Sequence, residues 1–163
     1  MDDVTRVGAY REGGRVRCDL RPGALSPRVL SASPTTVRIA LVATRALLLG
    51  GDRVRVEVHV GRGVEVELVE VSGTVAYAGR GRSASWDAAV RADADVLLAW
   101  DALPFVVADG ADVHRRPHVP LRRSSVASLR ETLDPRRPAL RGWRLRPPTR
   151  APDHPGAPRR SSD

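Results

Sequence analysis

The chain has 163 residues, 42% of them apolar, and 27 basic against 19 acidic residues give it a net charge of +8; this is enough chain and enough apolar content for one domain with its own core. Every basic residue is arginine, which excludes a Walker A phosphate loop, a Schiff-base enzyme and a pyridoxal phosphate anchor, all of which need lysine. The single cysteine, Cys18, excludes an internal disulfide and a zinc site built on paired cysteines, so nothing argues for an oxidising compartment and a soluble, cytoplasmic protein is expected. The opening "MDDVTR" is acidic where a secretory signal is basic, and the apolar run around "ALLL" is far shorter than the ~18 residues of a membrane span. The charge is unevenly placed: residues 1–133 hold 19 Arg against 16 acids, whereas residues 134–163 hold 8 Arg against 3.

In chain order, Cys18 sits in the alternating "VRCDL" with no histidine beside it, and a buried, inert thiol is expected there. Val37, Ile39 and Leu41 alternate next, and "ATRALLLG" is the one candidate short helix. After "GGD", Val54, Val56, Val58 and Val60 alternate with Arg53, Arg55, Glu57 and His59; after "GRG", Val64, Val66 and Leu68 repeat the pattern. This pair predicts a hairpin, with Gly63 left-handed in a three-residue loop, Val60 opposite Val64, Val58 opposite Val66, and Glu57 set against Glu67 on the charged face. A further turn, "GRGR", precedes the set Ala84, Trp86, Ala88 and Val90, and two more turns, "ADGAD" at 108 and "RRSS" at 122, come after it. Valine supplies 22 residues up to position 133, and turns recur every ten residues or so, the spacing of a many-stranded all-β domain. From residue 134 the chain holds 7 of its 13 prolines and no valine, so a disordered tail is expected.

A search for chemistry finds no catalytic set. His114 and His118 have the spacing of a helical zinc pair, but "RRP" between them opposes a helix, and in a strand their Cα atoms lie roughly 13 Å apart. No GxSxG elbow is present, and "GRGRSAS" lacks the lysine of a phosphate loop. Glu57, Glu65, Glu67, Glu70, Asp109 and Asp112 come from segments that a compact β domain can bring together, and among them Glu70, Asp109 and Asp112 are the candidate ligands for a weakly held hard or borderline cation.

Three stretches in order, "RALLLGGDRVRVEVHVGRGVEVELVEVSGTVAY", "LPFVVADGADV" and "LRETL", resemble the urease accessory protein UreD family, also called UreH, and its actinobacterial branch in particular. The likeness runs from about Val29 to Leu133. It implies an all-β fold, partly β-helical or sandwich-like, with at most one or two short helices. It also implies a non-enzymatic metallochaperone scaffold that works with UreF and the GTPase UreG on apo-urease while nickel is delivered and the active-site lysine is carbamylated. It implies further that no cofactor is held tightly and that nickel is in transit. The charged strand faces would then contact partners or line a polar passage. Gly50, Gly51 and Asp52 match the family's turn before the strand, Gly61 and Gly63 its next turn, and Asp109, Gly110 and Ala111 its later turn.

Two stretches depart from the family pattern: "VEVSGTVAY" replaces a Thr- and Gln-rich segment, and "DALPF" replaces a Pro-Gln-Glu-like element. Family members continue well past "LRETL", so residues 1–133 are expected to be an incomplete UreD-like β domain. Residues 134–163 are expected to be a frameshifted or prematurely ended extension, with an evolved basic arm as the rival. A different class of function, a nucleic-acid or acidic-surface binding module, would act through the eight arginines of that tail. The body argues against it, with five aromatic residues (Tyr10, Tyr77, Trp86, Trp100 and Phe105) and no basic stripe among them.

Overall fold

The computed structural model describes residues 4–122, 124–130 and 132–134, and all regular structure among them is β. Thirteen strands follow in order: β1 (Val4–Glu12), β2 (Arg15–Arg21), β3 (Leu25–Ala32), β4 (Thr36–Ala43), β5 (Arg53–Val60), β6 (Glu65–Glu70), β7 (Thr74–Ala76), β8 (Ala84–Ala92), β9 (Leu97–Asp101), β10 (Phe105–Val107), β11 (Val113–His118), β12 (Val126–Arg130) and β13 (Leu133–Asp134). They form three sheets, ordered β11-β8-β5-β1-β2, β12-β9-β6-β4-β3 and β13-β10-β7.

From β5 onward the chain winds as a parallel β-solenoid, in which each coil lays one strand on each sheet. β5 pairs in parallel with β8, and β8 with β11; β6 pairs with β9, and β9 with β12; β7 pairs with β10, and β10 with β13. A coil cannot bury its apolar face alone, so each depends on the next for its core. At the start, the antiparallel pairs β1–β2 and β3–β4 begin the stack, with β1 parallel to β5 and β4 parallel to β6. Buried Thr5 ties the two pairs together: its Oγ1 donates to the Leu25 carbonyl and accepts from the Leu25 N–H, both at 3.0 Å.

The alternation read from the sequence does select the inward faces. Val54, Val56, Val58, Val60, Val64, Val66, Leu68, Ala84, Trp86, Ala88 and Val90 are all buried, and register stacks them into rungs such as Val7–Val58–Val90 and Val37–Val66–Leu98. The expected hairpin is overturned. β5 and β6 lie in different sheets, and "GRG" is the corner between them. Gly63 is left-handed as expected (φ +66°), but the backbone bonds of the corner run to neighbouring coils: Gly61 N–H to Ala9 O at 2.8 Å and Gly63 N–H to Ala94 O at 3.3 Å. The charges explain the preference, because a hairpin opposes Glu57 to Glu67, whereas the solenoid sets Arg6 beside Glu57 and Arg38 beside Glu67.

The candidate helix "ATRALLLG" is not one either. Leu48 has φ +59°, which no right-handed helix accommodates, and Leu47 and Leu48 fill the core while the Leu48 carbonyl accepts from Tyr77 N–H at 3.1 Å. Burial of two adjacent leucines outweighed helix propensity. The packing is parallel stacking around one interior, so of the two architectures expected the β-helical one holds.

Candidate functional site

Two of the three family-like turns lie at one corner of the solenoid. Asp52 organises the first of them: its Oδ2 accepts from Leu49 N–H at 3.1 Å and lies 3.5 Å from Arg45 Nη1, while its N–H donates to Leu49 O at 2.9 Å. Its carbonyl accepts from Ser85 N–H at 2.8 Å, and the Asp112 carbonyl accepts from Ala84 N–H at 2.8 Å, so the loops at 50–52, 79–83 and 109–112 stack coil upon coil. Gly50, Gly51 and Asp52 and the later Asp109, Gly110 and Ala111 thus mark the same corner two coils apart. Gly61 and Gly63 mark the corner between the first two sheets.

The candidate carboxylates do not converge. Glu70, at the inward end of β6, accepts from Trp100 Nε1 at 3.3 Å; Asp109 is exposed in its turn; Asp112 lies 3.8 Å from His114 Nε2. Glu57 and Glu67 face outward from different sheets, and Glu65 faces out beside Thr36 Oγ1 at 3.3 Å. Among the described residues no group of three or more His, Cys, Asp or Glu side chains is arranged to hold a metal ion. His114 and His118 both lie on β11, a strand, as the proline between them required.

Inside the last described coils the structure holds a charged group that sequence reading missed. Arg115 points inward from β11, with its guanidinium carbon 4.0 Å from the Trp86 ring centroid and 4.8 Å from that of Phe105. Trp86 in turn packs on Trp100 at 5.7 Å, whose indole N–H reaches Glu70. Stacking over two aromatic faces offsets part of the cost of taking the cation out of water. The signal available in the sequence was Arg115 two residues after inward Val113.

The outward faces answer what the charges between the valines do. Arg6 Nε lies 3.0 Å from Glu57 Oε2, Arg55 Nη2 lies 2.9 Å from Glu57 Oε1, and Arg38 Nε lies 3.2 Å from Glu67 Oε2, pairs formed across adjacent strands or along one. Because these side chains are partly exposed, each pair contributes about 0–1 kcal/mol. Glu57→Gln is therefore expected to leave the protein folded and to lower its stability by about 1 kcal/mol or less, measured by urea denaturation. A gain in stability, which relief of a Glu57–Glu67 repulsion would produce, would argue for the hairpin.

The outer face of the first sheet carries a half-open hollow of about 400 Å³, with two small residues, Gly8 and Ala89, in its lining. Register places Gly8 between Asp19 and His59, and Ala89 between Glu57 and His118. The Tyr10 ring folds back over Gly8, edge-on to His59 at 5.2 Å between centroids, with its hydroxyl 3.1 Å from His59 Nδ1. Burial, followed by the charges of Asp19 and Asp93, pushes the Tyr10 phenol above its usual value. The other ring nitrogen of His59, Nε2, is buried with no hydrogen-bond partner among the described residues, 3.7 Å from Asp93 Oδ2. Cys18, expected to be buried, is half-buried on β2, and burial raises its thiol pKa, which keeps it in the unreactive protonated form.

Residues 6–145 match the family model described as UreD urease accessory protein. The chain belongs to the UreD family. Urease accessory protein UreD 1 of Streptomyces griseus subsp. griseus is 45% identical over 153 residues, covering 92% of this chain and 60% of its own length. UreD of Frankia alni is 36% identical over 133 residues, covering 80% of this chain and 42% of its own, and UreD 3 of Bradyrhizobium sp. strain BTAi1 is 31% identical over 134 residues, covering 74% and 48%. The chain thus spans about half the length of such UreD relatives. The match also extends beyond the Val29–Leu133 range of the sequence motifs, taking in β1 and β2 and crossing the start of the expected tail. That tail, from residue 135, lies outside the described residues. Among the described residues no helix is long and apolar enough to cross a membrane.

Proposed function

We propose that this protein is a non-catalytic scaffold for urease maturation, acting in the cytoplasm with UreF and the GTPase UreG on apo-urease. The observation that carries this reading is the family match over residues 6–145 together with 45% identity to a UreD protein across 92% of the chain. A solenoid suits the role, since stacked coils present long, rigid sheet faces to partners. The outward rungs of paired arginine and glutamate leave those faces polar without a dominant charge, a composition suited to selective docking. Nucleotide chemistry falls to UreG, in keeping with a chain that has no lysine for a phosphate loop. Nickel is cargo in this proposal, passed on within the assembled complex.

Co-expression with UreF tests the reading. The expected result is a shared peak on size-exclusion chromatography, with no GTP or urea hydrolysis by the protein alone. Separate peaks with both proteins soluble, or turnover that follows the protein through successive columns, would contradict it.

A further inference from the structure

We infer that the hollow on the outer face of the first sheet is a docking socket for a single carboxylate side chain, aspartate or glutamate, presented by a protein partner. The hollow opens at Ala89, an outward position of β8 flanked by Glu57 and His118 on the neighbouring strands and by Arg91 on its own, while on β1 the Tyr10 ring covers the space above Gly8. Its charges are in balance but unequally engaged. Arg6 is held by Glu57 at 3.0 Å, and Asp19 lies 3.5 Å from Arg21. The Arg91 and His118 side chains make no hydrogen bond or ion pair with any described residue. These two flank Ala89: His118 is its cross-strand neighbour, and Arg91 lies two residues along the same strand on the same face.

The wall formed by β8 and β11 thus offers a guanidinium fork and an imidazole with no acceptor among the described residues, and the shape complementary to that fork is a planar carboxylate. Glu57 and Asp19 on the remaining sides, each already paired with an arginine, disfavour a second negative charge, so a monoanion is matched by Arg91 whereas a phosphate dianion brings one charge more than Arg91 neutralises. The half-open form selects the source. Small-molecule sites bury most of their ligand, and among the described residues none covers the outer side of this one, so a free acid held by them alone would stay in contact with water. A partner's surface supplies the missing cover and removes the pair from water, which strengthens it. The inference does not depend on which protein the partner is.

The test uses the full chain, isotope-labelled, titrated with the capped tripeptide Gly-Glu-Gly, its Gly-Gln-Gly counterpart and inorganic phosphate. The Glu peptide is expected to shift the Arg91 side-chain and His118 ring resonances in a saturable manner, at least tenfold more tightly than the Gln peptide or phosphate. Arg91→Gln, which removes the fork, and Ala89→Leu, which fills the hollow and keeps every charge, should each weaken binding about tenfold with melting behaviour intact. Arg62→Gln, on an exposed corner outside the hollow, should change nothing. No shift with the Glu peptide up to about 0.1 M, equal response to the Gln peptide, preference for phosphate, or equal weakening by Arg62→Gln would each overturn the assignment.

Discussion

Val58→Asp is expected to abolish cooperative folding. Val58 is 2% exposed and stacks between Val7 of β1 and Val90 of β8, so the new carboxylate has neither water nor a cation within its rung. Burying it costs several kcal/mol, and protonation to avoid the charge still leaves an unsatisfied polar group, against a total domain stability of about 5–15 kcal/mol. The effect propagates because the rung joins three successive strands. Far-UV circular dichroism with thermal scanning should show aggregation or no transition for Val58→Asp, and a transition close to that of the parent for Glu57→Gln one position earlier. Similar losses in both variants would mean that the inward and outward faces of β5 have been misassigned.

The second large effect concerns the stacked corner. A Cβ on Gly50 would lie 2.4 Å from the Gly79 Cα and 2.7 Å from its carbonyl oxygen, so backbone meets backbone and no side chain can turn aside. Gly50→Val must therefore push two coils apart at the corner where Asp52, Ser83 and Ser85 make their inter-coil hydrogen bonds. The expected loss is about 3 kcal/mol, the upper part of the range for overpacking. Gly63→Ala is the control: its added Cβ meets nothing within 4 Å, and only the left-handed backbone opposes it, at about 1–2 kcal/mol. Urea denaturation of the two variants should separate them clearly. Equal losses would mean that the corner loops do not stack as described.

Which face of each strand turns inward was legible in the sequence, because the period of two is a property of the strand itself. Which strands become neighbours was not. In "VEVHVGRGVEVEL" the same alternation and the same left-handed Gly63 serve a hairpin and a solenoid corner equally well. What decides is where the backbone of Gly61 and Gly63 finds its partners, and those are Ala9 and Ala94, far away in the chain. The repeat that would have revealed the coils is blurred, since Arg53 aligns with Ser85 but Ala84 with Val113, offsets of 32 and 29 residues. Loops of different length hide the period, and the residues at matching positions differ.

The site was legible in its parts. Asp52 and the glycines around it were visible as a family-like turn, and the structure adds that they stack against the loops at 79–83 and 109–112. Glu70 was singled out as a ligand candidate, yet its described hydrogen bond goes to a tryptophan of the next coil, a contact made only by winding. Arg91 and the hollow beside it went unread because an absence of bulk is written in no motif. The signal lay in Ala89, a small residue at an outward position of β8 just before Arg91.

The parallel pairing of β5 is the claim on which the solenoid, the charge rungs and the hollow all rest, and interstrand nuclear Overhauser contacts measure it most directly. The structure predicts contacts from β5 to β1 on one side and to β8 on the other, including Val58 with Val7 and with Val90. It predicts no short Hα–Hα contacts between β5 and β6. A regular series of Hα–Hα contacts joining Val56, Val58 and Val60 to Leu68, Val66 and Val64 would contradict the solenoid and restore the hairpin.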